Sequence, residues 1–266
     1  MSEQSNYKYL LSLLSPTERF SFRVSDWINN NLKKPFMLWN ALVMYFIVWL
    51  ASSRRLKIKG LDNIAEYNIN SSILLASNHR TFFDFFVITW VNFARTDLPR
   101  NMYFPVRANF FYDNIFGLII NIFMGGCAMY PPIFRDEKKK PFNRYSMGLI
   151  NKKLQDGGVT IGFHPEGKRN KNPDPYSFLS AKTGIGHVIK HCPSSLVIPV
   201  FSIGFTNNYP KELYKNWFCP KDNPIIISYG KTLHFSNTEL TPQEIADQVL
   251  NEIKNISQNH QDEQNA

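Results

Sequence analysis

Two kinds of hydrophobic patterning divide this chain. Residues 9–32 place apolar and polar side chains at helical spacing, with Phe20, Val24, Trp27, Ile28 and Asn31 on one expected face. Residues 36–51 form the most hydrophobic stretch, broken only by Asn40. From Leu56 onward short apolar runs alternate with helical periods. The runs predict strands at 56–59, 73–77, 102–106, 127–130, 159–163, 196–203 and 225–229. The helical periods predict helices at 82–95, around 111–124, and at 143–154, 180–191 and 241–256. Thr241, Pro242 and Glu244 make a capped start for the last helix, and Gly157-Gly158 closes the one at 143–154. This alternation predicts an α/β fold, a mostly parallel central sheet flanked by helices, over residues 56–256. Residues 1–55 are expected to be membrane-associating helices, and the polar tail 257–266 to fray.

Residues 36–51 fall short of the roughly 20 that span about 30 Å of hydrocarbon. Lys33 and Lys34 precede them; Arg54, Arg55, Lys57 and Lys59 follow. Cations at both ends suit a helical segment whose two ends lie on one leaflet, with Trp39, Tyr45 and Trp49 at headgroup level. An interfacial or re-entrant helical pair is therefore expected; a single span and a buried core helix are the alternatives. The formal net charge of +9 favours anionic partners. Such a partner could be nucleic acid, an anionic leaflet or a phosphorylated substrate; because the basic residues flank apolar stretches, a membrane is favoured over nucleic acid. Cys127, Cys192 and Cys219 have neither a disulfide nor a metal-knuckle spacing, which fits a reducing compartment. Residues 1–8 are polar and the apolar run at 9–14 is short, so no cleavable signal peptide is expected. The expected location is the cytoplasmic face of a membrane.

Candidate chemistry sits where the strand at 73–77 gives way to the helix at 82–95, in Asn78-His79-Arg80-Thr81-Phe82-Phe83-Asp84. On one regular helix His79 and Asp84 would point about 140° apart and could not touch. With His79 in the turn before the helix, Asp84 can reach its imidazole. The carboxylate then fixes the tautomer and leaves the other ring nitrogen free as a general base. With no serine or cysteine nucleophile in the pair, such a base suits a hydroxyl that arrives with the substrate. The same residues also fit an ordinary satisfied histidine beside a helix-start aspartate.

A second strand exit carries Gly162-Phe163-His164-Pro165-Glu166-Gly167-Lys168-Arg169. Here a carboxylate lies beside cations that could hold a phosphate, or the loop is a solvated one with Glu166 paired to Arg169. Arg135, after Met129-Tyr130-Pro131-Pro132, suits bidentate phosphate contact or begins a charged surface run. His79, Asp84, His164 and Glu166 are also plausible ligands for a metal-dependent hydrolase, although Lys168 and Arg169 disfavour a divalent cation. His164 itself reads as structural or headgroup-facing rather than as a second base. His187 and His191 stand four apart, with a solvated helix face the better reading.

In order, His79 and Asp84, Arg135, Glu166-Gly167 with Arg169, and Pro199 resemble the four blocks of the glycerolipid acyltransferases, most closely the 1-acyl-sn-glycerol-3-phosphate branch. Asn78 and the four-residue gap fit the first block. Pro165, Glu166, Gly167 and Arg169 fit the third, with His164 in place of an apolar residue and Lys168 in place of threonine. Tyr130 and Arg135 fit the second block loosely, Arg107 stands in for a family lysine, and Lys182 and Gly184 fit a Lys-x-Gly that follows the third. The likeness covers roughly 56–205, and the N-terminal apolar segment resembles the family's membrane-docking helices. It implies acyl transfer from acyl-CoA or acyl carrier protein to a lysophospholipid hydroxyl, without a further cofactor. His79 would be the base and Asp84 its orienting partner. Arg107, Arg135, Glu166, Gly167, Lys168 and Arg169 would bind the substrate. A non-enzymatic binder of anionic membranes is the remaining alternative.

Overall fold

The structure, a computed structural model, describes residues 3–221, 223–236 and 239–265. In chain order its elements are α1 (Glu3–Ser12), α2 (Pro16–Asn31) and α3 (Lys33–Met44). A π-helical turn (Tyr45–Trp49) then continues into α4 (Leu50–Ser52). There follow β1 (Leu56–Lys59), β2 (Ser72–Ser77), α5 (Asp84–Arg95), β3 (Met102–Tyr103), β4 (Val106–Arg107), α6 (Ala108–Phe111), α7 (Ile115–Gly125) and β5 (Pro132–Ile133). The chain ends with α8 (Lys140–Asp156), β6 (Val159–Phe163), α9 (Gly184–His191), β7 (Leu196–Ile203), α10 (Tyr209–Phe218), β8 (Ile225–Tyr229) and α11 (Pro242–Asn265).

Six strands form the central sheet in the order β1-β8-β7-β2-β6-β3. All neighbours are parallel except β7 and β8, so β1 and β8 run against the other four. Successive residues of a strand face opposite sides. Leu74 and Ala76 of β2 accordingly join the core under α8, α9 and α11, while Ile73 and Leu75 join the core under α5 and the end of α3. Burial on both faces explains why the central strands read as unbroken apolar runs.

Several expectations change. The stretch 9–32 is two helices, because Ser15 and Glu18 build a capping box with Pro16 in the first turn of α2. The face of α2 that packs inward carries Ser21, Phe22, Ser25, Ile28 and Asn29, whereas Phe20 and Trp27 are more than half exposed. The expected strand at 102–106 splits at Pro105, which has no amide to continue a ladder. Its second half pairs with β5 in a separate two-stranded sheet. Residues 127–130 form no strand: Gly126 and Cys127 both have positive φ, and the chain turns there. The helix at 180–191 starts at Gly184, and α10 is an element the patterning did not single out. The C-terminal tail does not fray. Helix α11 runs on to Asn265, with Ser257 and His260 buried.

The run Lys33–Ser52 is helical for 20 residues with mean hydropathy 1.6, so by length and composition alone it could cross a membrane. Leu38, Trp39, Leu42, Tyr45 and Phe46 of this run are exposed. Trp39 donates to the Phe123 carbonyl at 2.8 Å, which joins this surface to exposed Ile115, Phe116, Ile119 and Phe123 of α7. At the other end Trp49 meets Trp217 of α10, its ring 6.5 Å away. Two of the expected flanking cations turn inward. Arg55 is buried in an ion pair with Glu212, and Lys33 lies against the Tyr103 ring.

Candidate active site

Strands β2 and β6 lie side by side with Ala76 opposite Phe163, so their C-terminal exits are neighbours. The chain leaves β2 at Ser77, turns through residues 78–83 and enters α5 at Asp84. Asp84 shapes that turn. Its Oδ2 accepts from the amides of Arg80 at 2.7 Å and Thr81 at 2.9 Å, and its Oδ1 accepts from the Thr81 hydroxyl at 2.7 Å. The same Oδ2 lies 3.0 Å from His79 Nδ1. A carboxylate can only accept there, so Nδ1 carries the proton and Nε2 keeps its lone pair. The five-residue spacing thus works as a turn: His79 stands outside the helix and the carboxylate reaches back to it.

The backbone of His79 is held from both sides. Its amide donates to Glu166 Oε1 at 2.9 Å, and its carbonyl accepts from the Asn170 amide at 2.7 Å. Glu166 Oε2 accepts from the Leu179 amide at 2.8 Å, so this nearly inaccessible carboxylate braces two loops rather than pairing with Arg169. Burial raises its pKa, and the two amides with His79 partly offset that rise. On the β7 side, Asn78 exchanges two 2.8 Å hydrogen bonds with the backbone of Ser202. Asn170 and Arg80 escaped the sequence reading. Arg80 donates to the Asn172 carbonyl at 2.5 Å, tying the His79 turn to the Asn-Lys-Asn-Pro-Asp-Pro loop at 170–175. The clustered asparagines and prolines there are the one signal of a structured loop.

His164, the first residue after β6, lies flat against His79. The ring centroids are 3.8 Å apart and the planes 5° from parallel. Its Nδ1 is 2.9 Å from the Ser77 carbonyl, which can only accept, so that nitrogen carries the proton. Desolvation first, then His79, holds its pKa well below the usual histidine value. Gly162 makes room for the Phe104 and Phe85 rings beside His164, since a Cβ there would come within 2.4 Å of Phe104 and 2.9 Å of Phe85. His79, Asp84 and His164 bring ligand atoms within 4.8 Å of one another, a possible metal grouping. In-plane lone pairs of parallel rings do not converge, and each Nδ1 is already engaged. The arrangement therefore suits proton transfer at His79 Nε2 better than a shared cation.

Arg107 reaches across to the third block and donates to the Gly167 carbonyl at 2.6 Å. Gly167 adopts φ +64°, and a side chain there would press on Lys182. Burial first, then Arg135, lowers the pKa of Arg107, so two guanidinium groups feel each other in this region. Arg135, Lys168 and Arg169 are exposed. His187 and His191 are exposed too, and His191 Nδ1 bonds the His187 carbonyl at 2.8 Å, a contact along one helix face.

The comparisons with known proteins bear on this site. No curated protein matches the sequence. Among solved structures, the crystal structure of the 1-acyl-sn-glycerophosphate (LPA) acyltransferase PlsC from Thermotoga maritima is similar in fold. Its TM-score is 0.55 at 15% identity, over 91% of this chain and 87% of that one. A family model described as Acyltransferase matches residues 55–204, which contain the His79–Asp84 turn, Arg107, Arg135 and the 164–169 loop. With more than half of its length in that match, the chain belongs to the acyltransferase family.

Proposed function

We propose that this acyltransferase moves a fatty acyl group from acyl-CoA or acyl carrier protein to the free hydroxyl of a lysophospholipid. The acceptor that fits best is 1-acyl-sn-glycerol-3-phosphate, giving phosphatidic acid for phospholipid synthesis. The observation that carries this is the His79–Asp84 contact at 3.0 Å, with Nε2 left free. Nε2 takes the hydroxyl proton as the acceptor oxygen attacks the thioester carbonyl. The tetrahedral oxyanion collapses, the C–S bond breaks, and the imidazolium returns the proton to the departing thiolate. Asp84 keeps the ring in the needed tautomer and offsets the charge it gains. No further cofactor is required for these steps. Arg107, Arg135, Lys168 and Arg169 supply positive charge for the acceptor phosphate, and Glu166 and Gly167 shape the loop that presents it.

The reading also assigns the exposed faces of α3 and α7 to the outer layer of a membrane, on its cytoplasmic side. Apolar side chains on that scale need a partner surface, and a bilayer delivers both lipid substrates. Lys34 and Lys57 are exposed at the margins for anionic headgroups, while Arg54 is held against Trp217.

The deciding experiment is turnover by purified protein in detergent with labelled palmitoyl-CoA and a panel of acceptors: 1-acyl-glycerol-3-phosphate, glycerol-3-phosphate and zwitterionic lysolipids. Phosphatidic acid is the expected product. His79→Ala should lower the rate at least ~10²-fold without loss of helical circular dichroism. An equally active His79→Ala enzyme would overturn the mechanism.

A further inference from the structure

We propose that His164 is a positioning residue for the base: its neutral imidazole face stacks on the His79 ring and stabilises by attraction the positive charge that His79 gains when it takes the acceptor's proton. This rests on the reading of His79 as the base. Three observations support it. The rings are parallel within 5° at 3.8 Å, well inside the distance at which a cation is attracted to an aromatic face. His164 is fixed from the rear, with Nδ1 on the Ser77 carbonyl at 2.9 Å and the Phe85 ring 4.3 Å away. Its surroundings keep it neutral, so it offers a π face and not a second positive charge.

The other charged groups around His79 are accounted for. Asp84 sits at Nδ1 from the start of α5, and Glu166 accepts the backbone amide from the β6 loop. Arg80, next in sequence, turns its guanidinium toward Asn172 and Ser177. None of these covers the face of the His79 ring that His164 covers. Volume alone would not need an imidazole here. What a flat π ring adds is attraction for the imidazolium and a wall that keeps the ring from swinging off Asp84.

The test compares His164→Phe, which keeps an aromatic face, with His164→Leu, which fills the space without one. Two readouts are used on the full chain in detergent. One is the pH profile of kcat/KM with palmitoyl-CoA and 1-acyl-glycerol-3-phosphate. The other is ¹⁵N-histidine NMR titration of His79, which needs no substrate. His164→Leu should move the acid limb and the NMR midpoint of His79 down by about one pH unit, a tenfold change in the protonation equilibrium, and lower kcat more than it alters KM. His164→Phe should restore both. If His164→Leu leaves the NMR midpoint of His79 in place, or if Leu and Phe behave alike, the proposal is overturned. Should the midpoint shift while His79→Ala retains full activity, the stack stands and the assignment of His79 as the base falls.

Discussion

Glu166 grips His79 by its backbone: the carboxylate from the β6 exit accepts the His79 amide at 2.9 Å and, through its other oxygen, the Leu179 amide at 2.8 Å. One buried side chain thereby sets the distance between the His79 turn and the loop that carries Lys168 and Arg169. Glutamine can accept at only one of these two places and turns a donor toward the other amide. Glu166→Gln should cost about 1–3 kcal/mol of stability. It should also slow turnover by at least ~10-fold, because the turn loses its register. Chemical denaturation and initial rates on one preparation check both; a variant as fast as wild type would show that the brace is dispensable.

A second brace lies away from the site. Arg55 and Glu212 meet at 2.7 Å with both side chains fully inaccessible. Arg55 also donates to the carbonyls of Gly204 and Asn223, and Thr206 donates to Glu212, so the pair seats α10 against the chain entering β1. Removing one partner strands the other in the interior. Glu212→Ala should destabilise by about 3–5 kcal/mol, read as a lowered denaturant midpoint. A smaller loss than ~1 kcal/mol would mean that water reaches the site and screens the guanidinium.

Lys33 predicts a pH dependence. Its ammonium lies 3.7 Å from the Tyr103 ring centroid and donates to the Met102 carbonyl and to Asn29. Burial first, and Lys153 second, pull its pKa down from 10.5 to about 7. Between those values the unfolded chain holds a proton that the folded chain has released. Stability on this account rises with pH across the window and is flat below it, where both states are charged. The slope can reach about 1.4 kcal/mol per pH unit. Lys33→Met should therefore fall progressively behind wild type in urea stability between pH 7 and 9; parallel curves would refute it.

The exposed apolar surface on α3 and α7 predicts vesicle binding. Replacing Leu38, Phe46 and Phe116 together by serine removes three of its most exposed side chains. Co-sedimentation with vesicles of anionic phospholipid should drop several-fold while circular dichroism stays unchanged, since these positions contribute little to the core. Undiminished binding would move the docking surface elsewhere on the chain.

The sequence by itself determined the kind of most long elements from β1 onward, but neither α10 nor the break between α1 and α2. Unbroken apolar runs such as Ile73-Leu74-Leu75-Ala76 suit strands covered on both faces, and their alternation with helical periods left few sheet arrangements. It also placed His79 and Asp84 within reach of each other, because that contact is local and five residues fix its geometry. Tertiary structure decided what depends on partners distant in sequence. Glu166 reads as a loop carboxylate beside cations until β2 and β6 are paired, when its oxygens turn out to be committed to the amides of His79 and Leu179. His164 comes to lie on His79 only because the register sets Phe163 opposite Ala76 and so brings the two rings together. Phe20 and Phe22 of α2 are equally hydrophobic; only packing decided that one would be buried and the other face outward. A periodic pattern reports how apolar a face is, and the neighbour that covers it comes from elsewhere in the chain.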